Sequence, residues 1–513
     1  MRMHNAEINR RWVRALVIAL VLSLVLVACA PAIVEPEPTE PYFTPPVHEQ
    51  LDTLVLPFAQ RDVLNPFFAG TEVNLLLAPL MWEGLFAADH THYPQPVLAA
   101  SFEQPSPTQL IITLRERAFH NGNAVTAADV VYSFNRARVS ANFAARLSNV
   151  TTMRAVSEQV EVNLRHGDVF AAASLDFPIV PANSAGAAPL RQAVGGYHFT
   201  LANTPVGTGP YYLAQDDNGV FTLEHNAAHP NTAPTLTTIR LHGVSQAAAL
   251  LHGVEVGSYH LAYNDLAGGD LPAVAAASHR VSTTNLVFLG MNSRRGVLQQ
   301  ADARAAIAGA LDIARVVHDG FAAFAEPTHT PFPRSWHALQ DEDTARPVNA
   351  TQARQAIDAA GLTEPSLNLV VYRYNAAMVN AAGSVRAQLQ AFGVEINLVP
   401  LERDAYEAAV RNGNFDLYLG QIRLTPGLSL APLLHDGGAA TAGVNVWGDA
   451  AEAYTQLRLG ELTPAEFLEA FWDDAPFVPL GYRMGMVAAA RGLNMPTALQ
   501  RSNLFADISA WRF

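Results

Sequence analysis

This chain of 513 residues has a single cysteine and no lysine at all. One cysteine excludes disulfides within the chain, all-cysteine zinc sites and iron–sulfur clusters. Because all 32 cationic residues are arginine, the chain also lacks the lysine on which P-loops, Schiff-base enzymes and Ser-x-x-Lys acylases depend. These two absences remove many of the common classes of enzyme.

Positive charge is scarce as well, with 32 basic against 46 acidic residues and a net charge of -14. Such a protein repels phosphate backbones, and no arginine-rich run with interleaved aromatic residues is present, so we predict no nucleic-acid partner. Half of the residues are hydrophobic and only 15% are charged, which favours a large folded core over disorder. The length suggests about three domain-sized units.

The one cysteine, Cys29, ends a segment that is typical of a bacterial lipoprotein signal. Four arginines lie within the first 14 residues, and the apolar stretch Ala15 to Ala28 follows them. This stretch has about 14 residues, fewer than the roughly 20 apolar residues that a transmembrane helix needs. The alternatives to a lipoprotein signal are such a helix or an unmodified cysteine. The resemblance to a lipobox implies that residues 1–28 are a signal peptide and that Cys29, as the mature N-terminus, carries acyl chains. Residues 29–50, rich in proline and glutamate, then form an extended tether.

The first half of the remaining chain has a mixed, strand-rich pattern. Leu54 to Phe58 is a short strand-like run, and Asp216 to Gly219 between two apolar runs indicates a hairpin. Thr126 and Asp129 have the spacing of a helix N-cap and its third helical residue, and they predict a helix that begins after Thr126.

The second half alternates strands and helices. Asp302 to His318 has helical spacing throughout and predicts one helix. The following elements are strand Leu367–Tyr372, helix Ala377–Phe392, strand Ile396–Leu401, helix Arg403–Arg411 and strand Phe415–Leu419. Alternation of this kind predicts a parallel sheet with helices on its faces, so this half is an α/β lobe.

Three motifs, in order along the chain, resemble those of one family. They are Thr113 to Gly122 followed by Thr126 to Arg136, then the Gly-Thr-Gly-Pro-Tyr element ending at Tyr211, and Asp302 to Asp312. The set is similar to the family 5 extracellular solute-binding proteins, which are the oligopeptide, dipeptide and nickel receptors of ABC importers. The gap between Arg115 and Phe119 is one residue shorter than in the family signature. Physically, the motifs consist of caps and turns, so they identify a scaffold and do not locate a ligand.

The resemblance implies a two-lobed, periplasmic-binding-protein-like α/β fold of type II, with mixed sheets, flanking helices and an extra N-terminal subdomain. Lobe I would comprise residues 51–80, 195–268 and 477–513, the extra subdomain 81–194, and lobe II 269–476. The implied function is that of a monomeric, lipid-anchored receptor on the extracytoplasmic face of the cell envelope. It would close over a small solute and deliver that solute to an ABC permease complex, without a cofactor.

In such receptors the ligand lies between the lobes, and two segments would face it here. One is the loop Arg61 to Phe68, from which we predict Asn65 and Phe67 as contacts; the other is Gln421 to Thr425, from which we predict Gln421 and Arg423. Peptide-binding members typically carry a tryptophan and then an aspartate that pairs with the peptide ammonium, but this chain has Ile422 and no acid there. We therefore expect a carboxylated or amide-bearing small molecule rather than a simple peptide held by its free amine. A strand-end arginine exposed to solvent is the alternative for Arg423.

Two further interpretations have little support in the sequence. Histidine is plentiful at 17, but there is no helical His-Glu-x-x-His, and Pro230 argues against a helix that would align His225 with His229, so we predict no metal site. There is no Gly-x-Ser-x-Gly elbow of a hydrolase, and we predict that the chain is not an enzyme. A surface lipoprotein with a non-transport binding or sensory role remains the alternative function.

Overall fold

The computed structural model describes residues 52–182, 205–217, 220–230, 234–245, 250–269, 276–340 and 349–513. The predicted signal peptide, Cys29, the tether and the tip of the predicted hairpin lie outside this range. The described residues all belong to one unit of the chain, His48–Phe513. Within them, no helix has both the length and the apolar character that crossing a membrane requires.

Strands and helices alternate irregularly in the first half of the chain and regularly in the second. The strands are β1 Thr53–Ala59, β2 Phe86–Ala88, β3 Pro94–Pro96, β4 Ala99–Ser106, β5 Gln109–Leu114, β6 Val150–Val156, β7 Gln159–Leu164, β8 Tyr211–Asp217, β9 Val220–His225, β10 Thr238–Val244, β11 Leu261–Asn264, β12 Ala277–Met291, β13 Ala325–Pro327, β14 Ser366–Tyr372, β15 Glu395–Leu401, β16 Leu417–Arg423, β17 Phe477–Ala489 and β18 Leu499–Gln500. The helices are α1 Glu72–Met81, α2 Ala127–Ala137, α3 Leu250–Glu255, α4 Ala301–Ala310, α5 Ile313–Phe321, α6 Ala350–Ala359, α7 Ala376–Ala391, α8 Arg403–Arg411, α9 Ala431–Leu434, α10 Asp449–Leu459 and α11 Pro464–Asp474.

The described strands form four sheets. Three are small, with strand orders β1-β10-β9-β8, β4-β5-β7-β6 and β2-β3. The fourth has eight strands in the order β11-β17-β12-β16-β14-β15, with β13 paired to β17 and β18 paired to β12. In this large sheet β14 is parallel to β15 and β16, whereas β12 is antiparallel to β16 and β17. The mixed sheets with flanking helices confirm the predicted α/β class.

The buried side chains form separate cores. One core takes residues from Leu54 to Leu241 and from Leu493 to Trp511, together with Leu261, Tyr263, Val281, Val487 and Ala489, and we call this part lobe I. Two further cores cover the two faces of the large sheet, and we call this part lobe II. Alternation along the strands assigns the faces: Leu369 packs with α4, α5 and α7, while its neighbour Val370 packs with α10 and α11.

Two long strands, β12 and β17, contribute to both lobes. Val281 of β12 and Val487 of β17 lie in the lobe I core, whereas Leu289 and Leu480 lie in a lobe II core. The backbone therefore passes between the lobes within strands of 15 and 13 residues.

A bulge interrupts the ladder between these two strands. Val281 is opposite Gly485, but the next paired residue, Asn285, is opposite Arg483, so three residues of β12 face one of β17. Side chains bond to both neighbouring strands here, because the Thr283 hydroxyl donates to the carbonyl of Arg483 in β17 and the Thr284 hydroxyl donates to the carbonyl of Leu424, just after β16. The ladder is thus irregular at the place where the chain crosses between the lobes.

Most of the predicted elements are confirmed, including the start of α2, where Asp129 Oδ2 accepts hydrogen bonds from the nitrogen and hydroxyl of Thr126 at 2.8 and 2.6 Å. Two predictions were wrong. The single helix Asp302 to His318 is two helices, because Asp312 caps the second by accepting from Arg315 N at 3.1 Å. The strand predicted to end at Leu419 continues to Arg423, since β12 provides a partner as far as Asn285.

Candidate functional site

The loop between β1 and α1 is fixed by two polar side chains. Asn74 of α1 accepts from Ala59 N at 2.8 Å and donates to Val63 O at 3.1 Å. Asp62 accepts from the nitrogen and hydroxyl of Thr71 at 2.7 and 2.6 Å. Burial alone would raise the pKa of Asp62, but these hydrogen bonds lower it. The loop therefore holds the first turn of α1 in place, and with it Glu72, where the helix dipole favours a carboxylate.

Two predicted ligand contacts, Asn65 and Phe67, belong to this loop and are buried in lobe I. Asn65 Oδ1 accepts from Phe67 N at 3.0 Å, and the Phe67 ring packs edge-on against Phe143 at 6.0 Å. Ser140 Oγ donates to Phe67 O at 2.7 Å. Their contacts are those of a scaffold, and neither residue lines the cavities described below. Their role in ligand binding stays a prediction.

Arg423, at the end of β16, extends from lobe II toward acidic groups of lobe I. Its Nη1 lies 3.5 Å from Glu72 Oε2, and its Nη2 lies 3.7 Å from Asp265 Oδ2, just after β11. Glu72 also accepts a hydrogen bond from Arg501 Nε. Burial alone would raise the pKa of Glu72, but Arg501 and Arg423 lower it, so the carboxylate is ionised near neutral pH. The charges on the two sides thus compensate one another.

Gln421, the fourth predicted contact, is engaged within the protein. Its Oε1 accepts from Arg483 Nη1 at 3.0 Å, and Arg483 also donates through Nη2 to Leu266 O. The Arg483 guanidinium lies 5.4 Å from the centre of the Phe321 ring, and the side chain is buried. Arg483 therefore joins β17 to β16 and to the residues that follow β11, beside the charges around Arg423.

Tyr263 of β11 lies among these charged groups. Its ring packs on Gly485 of β17, where a Cβ atom would come within 2.5 Å of the ring. The hydroxyl is buried and has no hydrogen-bond partner among the residues that the structure describes. Burial, reinforced by Glu72, raises the pKa of Tyr263 above its usual value, so the phenol is neutral at physiological pH.

Two cavities meet at this place. The first, of about 480 Å³, lies in lobe I and is lined by Leu56, Pro57, Ala59, Arg61, Asp62, Thr71, Glu72, Val73, Leu76, Leu77, Val244, Ser245, Leu250, Leu261, Ala262, Tyr263, Asn264, Asp265, Leu504 and Phe505. The second, of about 410 Å³, lies between the lobes. Its lobe I wall includes Glu72, Trp82, His92 and Arg146, and its other wall includes Thr283, Thr284, Arg423 and Leu424. Glu72 and Leu76 line both cavities. Volumes of this size are typical of small-molecule sites.

A third cavity, of about 620 Å³, is larger but lies elsewhere, between α4, α6 and α11 of lobe II. No residue of lobe I lines it. Among the described residues, no group of three or more His, Cys, Asp or Glu side chains is arranged to hold a metal ion. His229 instead lies 3.0 Å from the carboxylate of Glu83 inside lobe I, and burial lowers the pKa of His92 to about 4.

The lobes also contact each other beside the cleft. Arg458 of α10 donates through Nη2 to Asp168 Oδ2 at 2.5 Å and through Nη1 to Gly427 O at 3.0 Å. Its guanidinium lies 5.0 Å from the centre of the Phe170 ring. Burial alone would lower the pKa of Arg458, but Asp168 raises it. This buried ion pair connects the loop after β7 to lobe II.

A two-lobed α/β fold, joined by crossing strands and carrying a polar cleft between the lobes, defines the class of periplasmic binding proteins. The model of the bacterial extracellular solute-binding proteins, family 5, middle region, matches residues 93–435. The chain belongs to this family, whose members are solute-binding proteins and not enzymes, and the resemblance stated from the motifs is confirmed.

Individual relatives are distant. The probable ABC transporter periplasmic-binding protein SapA of Escherichia coli is 24% identical over 229 residues, which are 43% of this chain and 42% of that protein. The chain thus spans less than half the length of the curated relatives it matches. Among solved structures, the substrate-binding protein CtaP of Listeria monocytogenes has a TM-score of 0.68 at 18% identity, over 90% of this chain and 98% of that one. NikA of Brucella suis, in complex with Fe(III)-EDTA, has a TM-score of 0.63 at 18% identity, over 90% and 99%. These likenesses confirm the predicted two-lobed fold.

The sequence reasoning missed Glu72, Tyr263, Asp265, Arg483 and Arg501. Only Glu72 had a local signal, because Thr71 followed by an acid and an apolar run is typical of a helix start. Tyr263 and Asp265 lie in and just after β11, whereas Arg483 and Arg501 lie more than 200 residues later. The pairing of β11 with β17, of β17 with β12 and of β12 with β18 brings these segments together.

Proposed function

We propose that the chain is the substrate-binding receptor of an ABC importer, which closes its two lobes over a small polar solute and delivers it to the permease. One observation carries the proposal: Arg423 of lobe II faces Glu72 and Asp265 of lobe I where two cavities of ligand size meet. A solute that contacts both walls stabilises the closed arrangement by its differential affinity. Membership of the solute-binding family supports this use of the cleft.

The proposal includes a lipid anchor. Residues 1–28 would be removed as a signal peptide, Cys29 would be acylated, and residues 29–50 would tether a monomeric receptor to the extracytoplasmic face of a membrane. The sequence pattern around Cys29 supports this part. The division into lobe I at 51–80, 195–268 and 477–513, an extra subdomain at 81–194 and lobe II at 269–476 belongs to the proposal as well. The cores support the separation of lobe I from lobe II, but the described part of 81–194 shares the lobe I core, and Phe477, Val478 and Leu480 pack in the lobe II cores.

For the solute itself, we propose a peptide-like or other small polar molecule that carries a carboxylate or an amide. SapA of Salmonella typhimurium is described as a peptide transport periplasmic protein, and NikA was solved with Fe(III)-EDTA. These descriptions span amide-bearing and carboxylate-bearing ligands. Arg423 offers a fork of donors to either, in competition with its two carboxylate neighbours.

The test begins with the protein from residue 51 onward, purified from a bacterial host. Mass spectrometry after denaturation identifies any small molecule that co-purifies, and calorimetry measures its affinity for protein refolded without it. Small-angle scattering with and without that molecule then reports closure of the lobes. We expect a smaller radius of gyration in the bound state. Identical scattering curves with a ligand of verified affinity would exclude the receptor mechanism.

A further inference from the structure

The lobe I cavity of about 480 Å³ differs in character from the cleft that it joins. Its walls are largely aliphatic and aromatic, with Leu56, Leu77, Leu250, Leu261 and Phe505 among them. Its polar lining residues are fewer, and Glu72 among them lies where the cavity meets the cleft; the others are Arg61, Asp62, Thr71, Ser245, Tyr263, Asn264 and Asp265. A concave apolar space with few polar groups is suited to an apolar side group of a ligand and not to a charged one.

The hydroxyl of Tyr263 is a buried polar atom of a lining residue that lacks a partner among the described residues. Its side chain is more than nine-tenths buried, at 7% exposed, and the packing of the ring on Gly485 fixes its direction. A buried hydroxyl without a partner is costly, so a ligand atom that accepts or donates one hydrogen bond here gains the full benefit. A neutral phenol can bond equally to an amide carbonyl or to an amide N–H.

The charged residues at the rim compensate each other. An ammonium group beside Glu72 would compete with the guanidinium groups of both Arg501 and Arg423. A carboxylate beside Arg423 would compete with Glu72 and Asp265. Either ion would have to separate pairs that are already formed, whereas an uncharged amide leaves them intact.

From these three observations we propose that the lobe I cavity is a subsite for an apolar side group of the solute, and that the solute presents an uncharged amide, not a free ammonium or carboxylate, to Tyr263. This inference rests on the proposed receptor function and narrows it to neutral, amide-bearing molecules with a branched aliphatic or aromatic group. Peptides or amino acids blocked at both ends belong to this chemical class.

Calorimetric titration with capped and free probes tests the subsite. The capped probes are N-acetyl-leucine amide, N-acetyl-phenylalanine amide and the N-acetylated, amidated dipeptide Leu-Leu, and the free probe is the unmodified dipeptide Leu-Leu. We expect at least one capped probe to bind, and to bind more tightly than the free dipeptide. No binding of any capped probe at about 1 mM, or tighter binding of the free dipeptide, would overturn the proposal.

Two variants locate the binding. Tyr263→Phe keeps the ring on Gly485 and removes one neutral hydrogen bond, and should weaken binding of the capped probe about 2- to 10-fold. Val73→Trp fills the cavity from a half-buried position on α1 and should weaken binding at least about tenfold. The matched controls are Tyr212→Phe, whose exposed hydroxyl bonds to Glu224 at 3.0 Å, and Val139→Trp, at a site 78% exposed. Both controls should bind like the unmodified protein.

Circular dichroism melting curves of all four variants verify that each is folded. If Tyr263→Phe and Val73→Trp, both folded, bind the probe like their controls, the subsite is disproved. The outcome for the receptor is separate: a co-purified solute that closes the lobes but is insensitive to both variants overturns the subsite and leaves the receptor function standing. If no molecule closes the lobes, the receptor function fails, whatever the probes do.

Discussion

Replacing Arg423 by glutamine should shift the ligand-free protein from closed toward open. The substitution removes the positive charge that faces Glu72 at 3.5 Å and Asp265 at 3.7 Å across the cleft. All three side chains are partly exposed, at 39%, 28% and 34%, so solvent screens both pairs. Pairs of this kind contribute about 0.2–1 kcal/mol each, or roughly 0.4–2 kcal/mol together. The ratio of closed to open molecules should fall by roughly 2- to 30-fold.

Distance measurements between labels on the two lobes provide the assay. Protein that begins at residue 51 has no cysteine, so Val139→Cys and Trp447→Cys, at sites 78% and 81% exposed, can be labelled specifically. The control is Arg403→Gln, which removes an equal charge from lobe II and breaks contacts within that lobe alone, a pair 3.9 Å long with Glu407 and a cation–π contact with the Tyr372 ring. We expect longer distances in Arg423→Gln than in the control, and a weaker response to added salt.

Ligand affinity provides a second measurement of the same shift. If the closed arrangement is the one that holds the solute, the apparent dissociation constant rises as the closed fraction falls. The result that would contradict this prediction is an Arg423→Gln protein with the same label-to-label distances and the same salt response as Arg403→Gln. It would show that the ion pairs of Arg423 do not connect the lobes in solution.

Three further predictions concern the anchor, the buried ion pair and pH. Cys29→Ser should release the protein from the membrane fraction of a bacterial host or leave an unprocessed precursor, and a cleaved form that stays in the membrane contradicts lipidation. Asp168→Asn leaves the Arg458 guanidinium buried without its carboxylate and should lower the free energy of unfolding in urea by about 3–5 kcal/mol. The control is Glu402→Gln, whose ion pair with Arg373 is half exposed. Equal losses of unfolding free energy in the two variants would contradict a stabilising role for the buried pair. Because the pKa of Glu72 is lowered from 4.5, its carboxylate stabilises the folded state above pH 4.5, and this contribution is lost as the pH falls below that value. The melting temperature should therefore fall less on acidification in Glu72→Gln than in the unmodified protein. Plots of melting temperature against pH that run parallel for the two proteins would show that Glu72 does not make this contribution.

The elements of lobe II that the sequence predicts best are those with local causes. Helix α8 has the predicted bounds, β14 and β15 begin one residue earlier than predicted, and α7 begins and ends one residue earlier. Their apolar spacing and their glycine stops act within the segment itself. The break between α4 and α5 was missed because the apolar spacing continues through it. The Asp312 side chain accepts a hydrogen bond from the backbone nitrogen of Arg315 and so begins a new helix at this point.

The site was less predictable than the fold. The length of β16 depends on β12, a strand more than a hundred residues earlier in the chain, so no pattern near Leu419 could show that Arg423 ends it. Arg423 itself was found by comparing its segment with the acid-bearing segment of peptide receptors. Its partners Glu72 and Asp265 come to it through the packing of lobe I against β16. The helix start at Thr71 marks Glu72 only as a first-turn residue, and nothing in the sequence indicates that either acid pairs with Arg423.

The bulge in β12 has a mechanical consequence. Residues 282–284 line a wall of the cleft, and they are also the residues that lack a regular ladder with β17. A change in the angle between the lobes can be absorbed there by rotation of a few backbone dihedrals and of two threonine hydroxyls. Few backbone hydrogen bonds need to break, and no apolar core needs to open. Apart from the Arg458–Asp168 pair beside the cleft, the closure that we propose can therefore take place at these residues while each lobe keeps its packing unchanged.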